Sequence, residues 1–278
     1  MKKNVDQSAY YNAVHQARLE QYRTNPSLLC GPISLPMAYF KPNQIIDRVI
    51  RAHVGNNFSG RTLLELGCGE GYWSCWFASQ GAAVTSNDVS EVNVRIAEIH
   101  ANANGLTVDG VVASCTDTRL PSESFDVILG AALVHHLTLC EEEALYGEVW
   151  RLLKPGGLVV FMESLQNSAW LEYVRTLIPI RDSIDPRPSR WSKEWKEYEA
   201  NDPHPLRPNT TRHYRETLAR FAFSRVTLEE LGIFSRLDRL FRRWPWIQRA
   251  VHEADYAIKP FIPGSGKMCR NLIIAAWK

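Results

Sequence analysis

Short apolar runs alternate with segments of helical periodicity through most of the chain. Runs of this length, bounded by glycine, proline or polar residues, are typical of strands buried on both faces. The helical patterns between them predict an α/β fold with a doubly wound, mostly parallel sheet of seven strands. The predicted strands lie at 62–66, 82–87, 110–115, 125–131, 158–162, 224–234 and 270–277.

The same pattern divides the chain into four predicted regions. Residues 1–57 carry two helical patterns separated by a loop with prolines, and form a predicted N-terminal helical cap. Residues 58–163 form the core of the sheet. Residues 164–223 form an insertion that is rich in aromatic residues and proline. That insertion is longer than a connection requires, and its aromatic residues favour an apolar cavity. Residues 224–278 return to the sheet and contain a helical insertion at 236–268.

Composition is that of an ordinary globular protein. The 278 residues are 45% hydrophobic and 22% charged, with a net charge of +2, which is too weak a balance to indicate a nucleic-acid partner. No apolar run is long enough to span a bilayer, and the first residues lack an apolar signal region. The six cysteines show no C-x-x-C spacing, so we expect no disulfide framework and no metal site. A cytoplasmic location is the default expectation.

A glycine-rich turn follows the first predicted strand. Gly67, Gly69 and Gly71 occupy alternate positions, and a helical pattern begins directly after them. Glycine lets a polar ligand approach backbone N–H groups at a helix N-terminus closely. Asp88, at the end of the second strand, is well placed to accept both hydroxyls of a ribose. Two other readings stay open: a nicotinamide-binding turn with atypical spacing, and a turn kept only for packing.

The stretch from Leu63 to Gly71 resembles motif I of the class I S-adenosylmethionine-dependent methyltransferases, and Asp88 resembles their ribose-binding acidic residue. The Leu-Lys-Pro-Gly-Gly turn at 153–157 and the His-His pair after the fourth strand strengthen this resemblance, which covers roughly 63–161. It implies a Rossmann-like fold with an antiparallel last strand, and S-adenosylmethionine as the cofactor. It also implies a set of cofactor-binding residues: Glu65, Gly67, Cys68, Gly69, Gly71, Asp88, Val89, Thr116, Asp117 (at the adenine), Thr118, Gly130 and Ala131.

Candidate catalytic residues lie where the fourth and fifth strands end, since ligands of open α/β sheets bind beyond the carboxyl ends of strands. His135 and His136 follow the fourth strand, and we expect His135 to point into the site. Glu163 ends the fifth strand and is a further acid/base candidate, unless it pairs with an arginine such as Arg181.

Candidate substrate-binding residues come from the cap and the insertion: Tyr11, Tyr22, Trp170 and His204, the last within an Asp-Pro-His-Pro element that resembles one in some small-molecule methyltransferases. The cap is either a lid over the cofactor or a pair of helices covering the sheet edge.

The resemblance and the aromatic insertion together predict methyl transfer to a small, lipophilic or aromatic metabolite at a carbon, oxygen or nitrogen atom. The post-strand segment lacks the pattern of enzymes that methylate nucleic-acid bases. A non-catalytic partner-binding protein and a protein methyltransferase remain alternatives. The basic, tryptophan-containing stretch at 236–249 is a plain solvated face, a contact between subunits of a homo-oligomer, or a membrane-docking surface.

Overall fold

A computed structural model describes residues 6–37, 40–177, 179, 187–202, 204–233 and 244–278. Its seven-stranded sheet has the order β3-β2-β1-β4-β5-β7-β6. β7 pairs antiparallel with both β5 and β6, and every other pairing is parallel. The strands are β1 (Thr62–Leu66), β2 (Ala83–Asp88), β3 (Asp109–Val112), β4 (Phe125–Ala131), β5 (Leu153–Ser164), β6 (Arg225–Leu231) and β7 (Asn271–Trp277). The predicted fold class, including the antiparallel last strand, is confirmed.

Helices flank both faces of this sheet. They are α1 (Gln7–Thr24), α2 (Lys41–Val54), α3 (Tyr72–Ser79), α4 (Glu91–Ala103), α5 (Leu139–Leu152), α6 (Ala169–Leu177), α7 (Trp195–Asn201), α8 (Thr211–Leu218) and α9 (Pro245–Ile258). Among the described residues, no helix combines the length and apolar character needed to cross a membrane.

The boundaries of three strands differ from the sequence prediction by more than one residue. The 153–157 turn, expected to close a helix, already belongs to β5, since Leu153 pairs with Phe125 before a register shift. β3 ends at Val112 rather than at 115, and the chain then forms an isolated bridge between Ser114 and Asp117. β6 ends at Leu231, and the last predicted residue of that strand, Phe234, lies outside the described residues.

Apolar residues of the central strands supply the core on both faces. On one face α2 contributes Ile46 and Ile50, which are fully buried in a cluster with Val127 of β4. On the other face α5 contributes Tyr146 and Val149 to a second cluster. Burying each of these large side chains contributes about 1.5–3 kcal/mol to stability, so the sheet's central strands are held rigidly, and they position the loops that follow them.

The basic stretch at 236–249 lies partly outside the described residues, and only Trp244 and the start of α9 belong to the structure. α9 packs back onto the core, because Lys41 of α2 forms an ion pair with Glu253 at 2.7 Å and Asp255 accepts a hydrogen bond from the backbone N–H of Ile233.

Candidate active site

A cavity of about 720 Å³ lies beyond the carboxyl ends of β1, β2 and β4, beneath α1. Its walls come from the glycine turn, the end of β2, the segment after β4, the start of α1 and the 202–206 loop. Gly67, Gly69 and Asp88 line one end, while Tyr11, His136 and His204 are also among the lining residues. We call the first group, with Asn93, the donor end, and the second group the acceptor end.

The three glycines of the turn serve two different purposes. All three have a positive φ, at 67°, 51° and 73° for Gly67, Gly69 and Gly71, which a residue with a Cβ adopts at a cost. A Cβ on Gly69 would meet no atom within 4 Å, so this position faces open cavity. A Cβ on Gly71 would lie 2.6 Å from the Cβ of Ala97 in α4. Gly69 therefore leaves room for a ligand, whereas Gly71 lets α4 pack against the turn.

Backbone N–H groups of this turn do not point at a ligand as expected. The N–H of Cys68 donates to the Asn87 carbonyl at 2.9 Å, and the N–H of Gly71 donates to the Cys68 carbonyl at 2.9 Å. The N–H of Gly69 donates to Asp88 at 3.1 Å. These three amides already have partners inside the protein, so the turn contributes shape to the site rather than these three donors.

Asp88 is held rigidly where β2 ends. Its carboxylate accepts hydrogen bonds from the backbone N–H of Ser90 at 2.8 Å, from Gly69 and from the Asn93 amide at 3.2 Å. Only 7% of the residue is exposed, and burial raises the pKa of its carboxyl group above the usual value, while the three hydrogen bonds act in the opposite direction. The side chain lines the cavity, as a ribose-binding carboxylate must.

Glu65 lies beneath the turn rather than in the cavity. Its carboxylate accepts hydrogen bonds from the backbone N–H of Ser74 at 2.8 Å and from the Ser74 hydroxyl at 2.5 Å, in the first turn of α3. Burial raises the pKa of Glu65 to about 8. Glu65 therefore does not line the cavity, where the predicted cofactor contact would require it, and instead ties β1 to the N-terminus of α3.

The residues after β3 that line the cavity lie a few positions earlier in the chain than those predicted to contact adenine. Asp117 points to solvent, with its side chain 71% exposed and 3.8 Å from Arg119, and Thr118 donates to the carboxylate of Glu148 through its N–H and its hydroxyl. Ser114 and Cys115 line the cavity instead. Because β3 ends early, the chain reaches the cavity before position 116.

Four other expected cofactor contacts lie close to the cavity without lining it: Cys68, Gly71, Gly130 and Ala131. Gly130 faces the core, since a Cβ there would meet the ring of Phe161 at 2.7 Å. Val89 does line the cavity, and its carbonyl accepts a hydrogen bond from the Ser8 hydroxyl at 3.0 Å. Gly67, Gly69, Asp88 and Val89 are thus the expected cofactor residues that the fold brings to the cavity.

His136, and not His135, faces the cavity. Its Nδ1 lies 3.0 Å from the hydroxyl of Tyr11, and its backbone carbonyl accepts a hydrogen bond from the Gln7 side chain. Burial lowers the pKa of His136 well below its usual value, and the neighbouring His135 and His204 lower it further. The expectation that His135 points inward is corrected: its Nδ1 lies 2.7 Å from Glu163, and that ring does not line the cavity.

Glu163 is fully buried beneath the short helical turn Val134–His136. Its carboxylate accepts hydrogen bonds from the backbone N–H groups of Leu133 at 2.9 Å, Val134 at 2.7 Å and His135 at 3.3 Å. Its side chain does not line the cavity, where the predicted acid/base role would require it. It is a positioning residue for the histidine pair. The alternative partner Arg181 lies outside the described residues.

His204 completes the acceptor end from the insertion. Its Nδ1 lies 2.6 Å from Asp202, and its ring centroid lies 4.4 Å from that of His136 and 5.4 Å from that of His135. Arg207 fixes this loop onto the core, because it donates to the carbonyls of Val134 at 2.8 Å and Leu137 at 2.9 Å.

Two expected substrate-binding residues lie elsewhere. Trp170 is 69% exposed and does not line the cavity, and Tyr22 packs near Leu19 and Ile96 at the contact between α1 and α4. Sequence reasoning missed Gln7, Asn93, Leu133, Leu137 and Leu206, all of which line the cavity. Asn93 follows Asp88 by five positions, at the first turn of α4, and could have been found from that spacing.

Comparison with known proteins agrees with this geometry. Residues 64–161 match a family model described as a methyltransferase domain. The chain is 35% identical over 161 residues to the ubiquinone biosynthesis O-methyltransferase of Paramagnetospirillum magneticum, and the match covers 52% of this chain and 63% of that protein. The chain thus spans less than two thirds of this curated relative's length.

Solved structures share the fold at low sequence identity. Phosphoethanolamine N-methyltransferase 2 of Haemonchus contortus, in complex with S-adenosylmethionine, superposes with a TM-score of 0.59 and 16% identity, over 99% of this chain and 60% of that one. Geranyl diphosphate C-methyltransferase of Streptomyces coelicolor gives a TM-score of 0.55 and 16% identity, over 85% and 79% of the two chains. Residues 64–161 thus match a methyltransferase domain, and the chain shares the fold of these solved methyltransferase structures.

Proposed function

We propose that this protein transfers a methyl group from S-adenosylmethionine to a hydroxyl oxygen of a small, lipophilic or aromatic acceptor. The observation that carries the proposal is the single cavity that joins the glycine turn and Asp88 to His136 and His204. A methyl donor and its acceptor have to meet in line at about 3 Å, and one cavity with two chemically different ends allows that meeting.

The donor end fits S-adenosylmethionine. Asp88 offers a buried carboxylate at the edge of the cavity for the ribose hydroxyls, and the open space at Gly69 allows the cofactor to approach the backbone. The cofactor, when bound, supplies an electrophilic methyl group on a sulfonium. The protein's own contribution is then to orient the donor and to exclude water.

The acceptor end favours a hydroxyl on an apolar body. Leu133, Leu137 and Leu206 provide apolar wall, while Tyr11 and His136 provide polar atoms within that wall. A hydroxyl nucleophile loses its proton during transfer, and a histidine that reaches the cavity can accept it. The relative named as an O-methyltransferase of ubiquinone biosynthesis supports an oxygen acceptor.

The cap is proposed as a lid. α1 contributes Gln7, Ser8 and Tyr11 to the cavity wall, and Asn12 accepts hydrogen bonds from the Ser90 hydroxyl at 2.7 Å and the Val92 N–H at 3.3 Å. In this proposal residues 1–57 cover the cofactor, 58–163 bind it, 164–223 enclose the acceptor, and 224–278 complete the sheet.

Calorimetric titration with S-adenosylhomocysteine tests the donor end. We expect Asp88→Ala to raise the Kd by at least about 100-fold, because two charge-assisted hydrogen bonds of about 1.5–3 kcal/mol each are lost. Asp117→Ala is the matched control, since that carboxylate faces solvent, and its Kd should stay within about twofold of the wild type. Absence of binding to the wild type, or equal effects of the two substitutions, would refute the proposed cofactor site.

A panel of acceptors tests the methylated atom. Matched phenols, catechols, anilines and prenylated rings would be incubated with S-adenosylmethionine, and products identified by mass spectrometry. We expect O-methylated products from the hydroxylated acceptors. Methylation of nitrogen or carbon alone contradicts the oxygen assignment. Cofactor binding without transfer to any small acceptor would favour the non-catalytic or protein-methylating alternative.

A further inference from the structure

Three histidines from two separate segments meet beside the acceptor end of the cavity, and two of them, His136 and His204, line it. His135 and His136 follow β4, and His204 belongs to the insertion. One ring nitrogen from each lies within 4.8 Å of the others, and the rings of His135 and His204 stack at an interplanar angle of 6°. Three imidazoles converging on one point are the donor set of many zinc sites.

Each of these rings is oriented by an oxygen atom at Nδ1. The partner of His135 is the Glu163 carboxylate at 2.7 Å, that of His136 is the Tyr11 hydroxyl at 3.0 Å, and that of His204 is the Asp202 carboxylate at 2.6 Å. Histidines that bind metals almost always have such an oxygen on their other ring nitrogen, which fixes the ring and increases its basicity. The three contacts assign metal binding to Nε2 in each ring.

The cluster is also held in place before any ion binds. Glu163 is fully buried and accepts three backbone N–H groups, so its position beside His135 is fixed. Arg207 has a side chain that is 1% exposed, and it joins the insertion to the carbonyls of the turn that bears the histidine pair. The two segments that carry the three rings are therefore fastened to each other.

We propose that His135, His136 and His204 bind one divalent transition-metal ion through their Nε2 atoms. Ring nitrogens suit Zn²⁺, Co²⁺, Ni²⁺ or Fe²⁺, whereas Mg²⁺ and Ca²⁺ prefer oxygen ligands. Zn–N bonds are about 2.0–2.1 Å long, so the three nitrogens, which now lie within 4.8 Å of one another, would move closer together when an ion binds. Three protein ligands leave one position of a tetrahedral ion open, and His136 directs that position toward the cavity.

An ion at this place would act on the acceptor, a consequence that rests on the function proposed above. With the ion bound, His136 would be a ligand and not the base, and a hydroxyl that fills the open position would release its proton to water, because a bound divalent ion stabilises the anion. The oxygen would then be both fixed and ionised beside the donor end. Metal binding itself does not depend on that function.

Titration of the metal-free full-length protein with Co²⁺ alone tests the site. Co²⁺ bound by three histidines in tetrahedral geometry gives visible d–d bands, so binding is observed without an activity assay. We expect one equivalent to bind to the wild type, and the bands to disappear at one equivalent in His136→Gln and in His204→Gln. His53→Gln is the matched control, because His53 lies on α2 away from the cavity, and it should titrate like the wild type.

Tyr11→Phe provides a milder variant that keeps all three histidines. It should weaken Co²⁺ binding by about 10- to 100-fold, the usual effect of removing an outer-shell partner. Circular dichroism and S-adenosylhomocysteine titration on the same samples show that each variant is folded.

Several results would overturn the metal site. They are an absence of visible bands in the wild type, bands that persist in both histidine variants, or near-ultraviolet charge-transfer bands that show thiolate ligands. Failure of the wild type to bind S-adenosylhomocysteine, with normal Co²⁺ titration, would refute the proposed function and leave the metal site standing.

Discussion

The two ends of the cavity are built in different ways. The donor end comes from two consecutive strand–turn–helix units, and its shape is set by backbone: positive φ angles at Gly67 and Gly69, and a carboxylate fixed by N–H groups. The acceptor end is built from side chains of three distant segments, represented by Tyr11, His136 and His204. A site whose shape is set by the backbone can be predicted from the spacing of nearby residues. A site made of side chains from distant segments forms only when folding brings those segments together.

The largest expected effect separates two glycines of the donor end. Gly71→Ala should lower the free energy of unfolding by about 2–4 kcal/mol, since a left-handed residue and a clash with Ala97 add together. Gly69→Ala should cost only about 1 kcal/mol of stability, yet weaken S-adenosylhomocysteine binding roughly tenfold, because its methyl group enters ligand space. Urea denaturation and calorimetry measure the two quantities. If both substitutions act on stability alone, the turn is a packing element and the contrast between the two ends fails.

An effect of similar size, but dependent on pH, concerns the buried carboxyl group of Glu65 below the donor end. The folded-state pKa of Glu65 is about 8, against 4.5 in the absence of the fold. At a pH below both pKa values, Glu65 is protonated in the folded and the unfolded protein, so it does not make stability depend on pH. At a pH between the two pKa values, Glu65 loses its proton in the unfolded protein and keeps it in the folded protein, so the stability of the wild type falls as pH rises.

Glu65→Gln removes this penalty while retaining an oxygen acceptor for Ser74. We expect the variant to exceed the wild type in stability by on the order of 3 kcal/mol at pH 7, with a gap that grows from about pH 4.5 to about pH 8. Urea denaturation across this range measures the gap. Glu20→Gln on the exposed face of α1 is the control and should follow the wild-type curve. A wild type that is more stable at pH 8 than at pH 5 would contradict the protonated, buried carboxyl group.

The smallest expected effects are on the KM for the acceptor, and they test which residues belong to the acceptor end. Trp170→Ala should leave both stability and the KM for the acceptor unchanged within about twofold, since that side chain is largely exposed and outside the cavity. Tyr11→Ala should raise KM by roughly two- to tenfold, the loss expected when an aromatic face is removed. Steady-state kinetics with an acceptor from the panel compares the two. A larger effect of Trp170→Ala would place the acceptor against α6 instead of α1.

The sequence allowed the sheet, its strand directions, the glycine turn and Asp88 to be predicted, because these depend on periodicity and on fixed local spacing. The residues that reach the cavity after β3 could not be predicted, because the end of a strand depends on its pairing: β3 stops at Val112, so Ser114 and Cys115 line the cavity while Asp117 turns outward. Nothing in the apolar residues 110–115 indicates that the strand ends at Val112.

The acceptor end could be predicted only in part. Adjacent histidines on a short turn point in different directions, and which one faces the cavity is decided by Glu163 binding His135 from below. Glu163 stands at a strand end in the sequence, but the three N–H groups that occupy its carboxylate are visible only in the fold. The convergence of His204 with the pair depends on Arg207, a buried contact across the insertion that spacing does not reveal.

α1 is attached to both ends of the cavity at once. Ser8 and Asn12 bond to the turn after Asp88, while Gln7 and Tyr11 bond to His136. A movement that lifts this helix breaks both sets of bonds together, so the two compartments cannot be uncovered independently. We therefore expect spent cofactor and methylated product to leave during a shared opening event, and turnover to be governed by how often that helix detaches.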